Sequence, residues 1–236
     1  MKFKTELHLH SSPASPCAEL TPQEIAARYI SYGYSTVVLT NHYTACVNDS
    51  KGETWQERVD YFLRDFHALK EAANGKLNVL LGCEIRFPQN TNDYLVLGLT
   101  EEFLRAHPDI YTMNVRSFSA FARENGLLFI QAHPFRNDMT VVRPELLDGV
   151  EVFNGHHKHH SRNNIANAWA KQYGLIRTSG TDFHHPEQYG VGGIATDAPI
   201  TSHEELISTL KSGDYTILCS GPAAERDGMQ DMRADD

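Results

Sequence analysis

The chain has 236 residues, 41% of them hydrophobic and 22% charged, which is enough to bury one sizeable core and fits a single domain. With 30 acids against 21 bases the formal charge is −9, which argues against non-specific nucleic-acid binding, because that affinity comes from Lys and Arg displacing counterions. No apolar run approaches the ~20 residues that span a bilayer, the start of the chain lacks an apolar signal core, and Cys17, Cys46, Cys83 and Cys219 form no C-x-x-C pair; a membrane partner and a disulfide scaffold are therefore excluded and a reducing, cytoplasmic setting is expected.

In chain order, strand-like alternation over residues 3–9 leads to Thr21-Pro22-Gln23-Glu24, a capping box with Pro at the first helical position, and Gly33 ends that helix. STVVLTNH (35–42) has the β-branched run of a buried parallel strand. A long helix follows over residues 55–73, then the short strands LNVLLGCEIRF and DYLVLGL. A helix over residues 117–125 precedes the apolar runs GLLFIQAH (126–133) and GVEVFN (149–154). A further helix over 163–173 leads to IRTSGTDFH, and Ser202-His203-Glu204-Glu205 opens a last helix closed by Gly213. Residues 223–236 are polar and aperiodic, so the domain is expected to span 1–222 with a disordered tail that carries no chemistry. Alternating strands and helices imply parallel βαβ units: an α/β barrel is favoured, with an open doubly wound sheet as the alternative. Neither G-x-G-x-x-G nor a P-loop is present.

Metal-ligand chemistry falls repeatedly at the strand ends. His8 and His10 close the first strand, on one face and roughly 6–7 Å apart, where one ion can hold both. His42 follows VVLTN, Glu84 follows LLGC, His133 follows FIQA, and Asp182 and His184 follow RTSGT. In an α/β barrel these ends converge on one face, so residues remote in sequence would share a cleft. Imidazoles at five positions with two carboxylates exceed the needs of one tetrahedral ion, so two or three divalent ions (Zn, Mn or Fe) are expected. Glu84 has the oxygens to bridge a pair. Arg86, on the same strand face as Glu84, and Arg136, just after His133-Pro134-Phe135, have forks suited to phosphate. His67, His107 and His203 read as ordinary surface or capping residues, while His156-His157-Lys158-His159-His160 is either a solvated loop or one facing substrate.

In combination, ELHLHSS, VVLTNH, LLGCEI, QAHPFR, VEVFN and SGTDFH resemble the PHP family, named for polymerase and histidinol phosphatase domains, over nearly all of residues 3–220. The resemblance implies a distorted (β/α)7 TIM-like barrel and a two- or three-metal site hydrolysing a small phosphorylated metabolite through a metal-bridging hydroxide. Carried over by position, it implies His8, His10, His42, Glu84, His133, Asp182 and His184 as ligands. Arg86 or Arg136 would stabilise charge on phosphoryl oxygens, Asp182 or His184 would move protons, and His157 is a candidate acid to the leaving group. The sequence departs from the family pattern in three places: Ser11 to Cys17 stand where an Asp usually follows the second His, Asn41 replaces an Asp before the third, and the His usually found about ten residues after the Glu is missing. A binuclear site with an exchangeable third ion is the resulting expectation, with Asp93 as a candidate replacement ligand. A non-catalytic metal-binding scaffold and an amidohydrolase are the alternatives.

Overall fold

The computed structural model of the chain describes residues 2–235. Its strands are β1 (Phe3–Leu9), β2 (Tyr34–Leu39), β3 (His42–Thr44), β4 (Asn78–Arg86), β5 (Tyr94–Leu97), β6 (Leu128–Gln131), β7 (Gly149–Asn154), β8 (Ile176–Gly180), β9 (Ile194–Thr196), β10 (Thr216–Ile217) and β11 (Met232–Arg233). The helices are α1 (Pro22–Ser31), α2 (Ala45–Asn48), α3 (Trp55–Ala73), α4 (Glu101–Ala106), α5 (Val115–Glu124), α6 (Asn163–Tyr173), α7 (His203–Ser212) and α8 (Gly221–Asp227). Capping boxes at Thr21, Thr54, Asn114 and Ser202 start α1, α3, α5 and α7, each satisfying backbone N–H groups that the helix itself leaves unpaired.

The strands form one curled sheet in the order β11-β10-β9-β1-β2-β4-β5-β6-β7-β8, with β3 beside β4. Past the end of β8 the chain returns to β1: the Asp182 N–H donates to the His8 carbonyl at 2.9 Å and the His10 N–H to the Phe183 carbonyl at 3.0 Å. Sheet and helices enclose a core that includes Leu7, Leu9, Val37, Val38, Leu81 and Ile130, all essentially without solvent exposure.

Three sequence expectations are corrected here. First, the strands are not uniformly parallel. β5 runs antiparallel to β4 and β6, and β9 antiparallel to β1. The link from Arg86 to Tyr94 is too short for a crossover helix, so β4 and β5 form a hairpin. Second, the run 35–42 breaks at Thr40-Asn41, whose side chains pair with the β1 end: Leu9 N–H donates to Thr40 Oγ1 at 3.0 Å and Ser11 N–H to Asn41 Oδ1 at 2.8 Å. Third, the tail is ordered through Asp235. Ala223 and Ala224 of α8 are buried, and the Arg177 guanidinium donates to the carbonyls of Arg233 and Ala234 at 3.1 and 2.5 Å. Two small apolar residues and a run of backbone acceptors leave too weak a period to see in sequence.

Candidate metal centre

β1 carries His8 on its last turn of pleat and delivers His10 just beyond; β3 starts at His42, Glu84 lies near the end of β4, His133 follows β6, and Asp182 and His184 follow β8. All seven converge. His8 Nε2 lies 3.1 Å from His10 Nε2, 3.4 Å from Glu84 Oε1 and 3.4 Å from Asp182 Oδ1. Glu84 occupies the middle, with Oε2 at 2.9 Å from His42 Nδ1 and Oε1 at 3.3 Å from His133 Nε2. His184 Nδ1 is 3.2 Å from Asp182 Oδ1. Three overlapping triads bring their donor atoms within 4.8 Å of one another: His10 with His42 and His184, His8 with His10 and Asp182, and His8 with Glu84 and His133.

Groups absent from the sequence reading hold this set in place. Glu151 on β7 is fully buried; its Oε1 accepts from His8 Nδ1 at 2.8 Å and its Oε2 from the His133 N–H and Asn154 Nδ2 at 3.0 Å each. Asn154 also donates to Asp182 Oδ2 at 3.1 Å. On the other side a chain of polar groups ends at His10: Ser11 Oγ donates to buried Asp65, Asn41 Nδ2 donates to Ser11 Oγ, and Ser15 Oγ donates to Asn41 Oδ1. Ser15 Oγ therefore has only lone pairs left for His10 Nδ1 at 3.1 Å, which assigns the hydrogen to that nitrogen and turns a bare Nε2 toward His8. The E-x-x-N spacing in GVEVFN was the available signal for Glu151 and Asn154, since a carboxylate inside an apolar strand must have a partner.

Local backbone geometry serves the same convergence. His133 and Asp182 both have positive φ, 29° and 51°, a conformation non-glycine residues rarely hold without support; here Glu151 grips the His133 N–H and the His8 carbonyl grips that of Asp182. Gly180 has no room for a Cβ, which would collide with the His8 Cβ and lie 2.9 Å from Glu151 Oε1.

The electrostatics of the metal-free site fit a cation. Burial alone would lift Glu84 and Asp182, but the surrounding imidazoles, His8 foremost, hold both well below the usual carboxylate range. Burial opposes charge on His8 as well, yet Glu151, Asp182 and Glu84 keep it well above the ordinary imidazole value. His10 goes the other way, held neutral by burial and by the imidazoles of His184 and His42. The His8 Nε2 proton thus bridges to bare His10 Nε2 between two carboxylates. A divalent ion replacing that proton meets imidazole and carboxylate donors already turned toward it, so the residues fit the group.

The cleft over these residues holds about 230 Å³ and is lined by Cys17, Arg86, Asp93, Arg136, His156, Lys158 and His159 together with the imidazoles and carboxylates. Arg86 is a cleft residue as read from sequence, but its fork is engaged by Asp93 through two 2.8 Å hydrogen bonds. Arg136 lines the cleft with no side-chain hydrogen bond among the described residues. His157 Nε2 sits 3.4 Å from Glu187 Oε1, while the neighbouring His156 and His159 line the cleft. Burial pushes His156 down to about 3 and His159 to about 4, so both are neutral near pH 7. Cys17, read as one of four scattered cysteines and as the end of the stretch standing where an Asp usually follows the second His, places its Sγ 3.2 Å from His42 Nε2.

Imidazoles and carboxylates gathered at one mouth of a curled α/β sheet are the donor set of a candidate metal centre. The chain belongs to the PHP domain family, whose model matches residues 6–212. Its fold is that of a PHP-type metal-dependent phosphoesterase. Among solved structures it is similar to a two-domain protein from Bacteroides vulgatus containing a predicted PHP-like metal-dependent phosphoesterase (TM-score 0.69, 17% identity, 93% of this chain and 65% of that one). It is also similar to endonuclease Q in complex with a 27-mer duplex substrate bearing an abasic lesion (0.65, 17%, 90% and 57%) and to an amidohydrolase from Chromobacterium violaceum (0.55, 17%, 93% and 99%). The chain thus spans less than two thirds of the first two. No curated protein matches it. Among the described residues, no helix is long and apolar enough to cross a membrane.

Proposed function

We propose that this chain hydrolyses a small phosphomonoester with two or three divalent ions held by His8, His10, His42, Glu84, His133, Asp182 and His184, at the mouth of a distorted (β/α)7 barrel. The observation that carries the reading is the gathering of six donor side chains around Glu84 beneath a small cleft whose rim presents Arg136. Bound ions of this type supply Lewis acidity and lower the pKa of coordinated water.

The chain's own residues supply the rest. Arg136, unengaged by any carboxylate among the described residues, is placed to bind phosphoryl oxygens and is the stronger of the two arginine candidates. Arg86 would act only by relinquishing or sharing Asp93. Asp182, gripped through one oxygen by Asn154 and close to His184 through the other, is suited to orient water and to pass protons with His184. His156, neutral and facing the cleft with its Nδ1 taken by the Lys158 N–H, is suited to donate a hydrogen bond from Nε2 to a substrate oxygen, while His157 stays the sequence-based candidate for acid to the leaving group. A volume of about 230 Å³ suits a metabolite and is tight for a polymer. The four cysteines are free thiols, in keeping with a cytoplasmic setting.

The test is a phosphate-release screen over phosphorylated metabolites with added Mn²⁺ or Zn²⁺, run in parallel with amides and lactones. Turnover of a monoester that is abolished by chelation supports the reading. Turnover of amides alone moves the protein to the amidohydrolase class, and silence across both panels favours a metal-binding scaffold.

A further inference from the structure

We infer that the Cys17 thiolate is itself a metal ligand, completing the outer position of the centre with His10, His42 and His184. This rests on the metal-centre reading above and extends its ligand set from nitrogen and oxygen to sulfur.

The geometry comes from both sides of the thiol. Before it, Ser15 is fixed by its bonds to Asn41 and to the His42 N–H at 3.0 Å; after it, the Glu19 N–H donates to the His184 carbonyl at 2.9 Å. Cys17 is thereby suspended across the gap between His42 and His184. Cys17 is exposed and lines the cleft, with its Sγ 3.2 Å from His42 Nε2. Sulfur and nitrogen bound to one tetrahedral zinc, at ~2.3 and ~2.0 Å from it, stand roughly 3.5 Å apart, close to the spacing seen.

Charge gives the second argument. The triads His8-His10-Asp182 and His8-Glu84-His133 each contain a carboxylate, whereas His10-His42-His184 consists of imidazoles alone. Glu84 Oε2, 2.9 Å from His42 Nδ1, and Asp182 Oδ1, 3.2 Å from His184 Nδ1, stand beside this triad, and a thiolate would add an anion on its outer side. Cys17 is the thiol within reach; Cys46 bonds Thr44 Oγ1 at 3.1 Å, and Cys83 and Cys219 are buried. When the ion binds, the thiol proton leaves to solvent and a metal–sulfur bond forms, with no change in oxidation state. A soft donor at this position favours Zn²⁺, Co²⁺ or Fe²⁺ over Mn²⁺ and Mg²⁺.

The test is cobalt substitution of the full chain, comparing wild type with Cys17→Ser and with Cys46→Ser as the control. Wild type and Cys46→Ser should show thiolate-to-cobalt charge-transfer absorption in the near ultraviolet, and cobalt should shield Cys17 from alkylation. Cys17→Ser should lose the band and hold its outermost ion more weakly by at least the ~10–100-fold typical of lesser disturbances to a site. Cobalt bound to wild type without that band, or a band that survives in Cys17→Ser, overturns the sulfur ligand and leaves the metal centre intact. Failure of wild type to take up cobalt overturns both.

Discussion

At the scale of single residues the donors form a coupled set in which each group's protonation depends on its neighbours. Asp182→Asn should keep the fold, because the amide still fits between Asn154 and His184, while cutting turnover by orders of magnitude; steady-state kinetics at verified metal content checks it. Glu151→Gln should lower metal affinity by ~10–100-fold without touching a ligand, because the charge that orients and enriches His8 Nδ1 is lost; competition with a chromogenic chelator measures it. His184 gives a pH signature. Burial works against its charge, but Asp182 outweighs burial and raises it to about 10 in the metal-free protein. Metal must therefore expel a proton, so affinity should climb as pH rises toward 10, with proton release in a weakly buffered titration. For the stability of the metal-free chain the sign is reversed: that contribution is full below the unfolded value of about 6.5 and is lost as pH rises through about 10. That these seven side chains would meet in one cluster was legible from their repetition at strand ends. The partners that aim them, Glu151, Asn154, Ser15 and Asn41, were not, because a hydrogen bond across the molecule leaves no spacing in the sequence.

At the scale of elements, capping boxes and hydrophobic period located α1, α3, α5, α6 and α7 to within a few residues, since both signals are local. Pairing direction was not local: β5 looks like any buried strand, and only the short link from β4 makes it antiparallel. The segment after residue 222 was misread for a related reason, its value lying in what it covers. Arg177 is nearly buried and relies on carbonyls of residues 233 and 234, and Asp227 accepts the Asn163 N–H at 3.0 Å at the start of α6. Deleting residues 223–236 should therefore cost about 3 kcal/mol or more through stranded buried donors. Tm should fall by roughly 6–12 °C at this chain length, which calorimetry can read.

At the scale of the whole molecule the surface is acidic while the cleft rim carries Arg136, Arg86 and Lys158, so attraction for an anionic substrate is local. Binding should weaken as ionic strength rises, visible as an increase in KM with little change in kcat. Chelation should lower Tm as well as abolish turnover, because ions that bind only the folded state stabilise it by mass action. By itself the sequence determined the α/β class, the main helices, the PHP membership and which strand-end side chains would meet, all of which rest on residue type, local period and motif order. Only the tertiary structure decided that Asp93 pairs with Arg86, that His156 lines the cleft, and that Cys17 hangs beside His42. Those outcomes depend on side-chain direction at the end of a folded loop, where a rotation of one residue exchanges a cleft-facing group for a solvent-facing one.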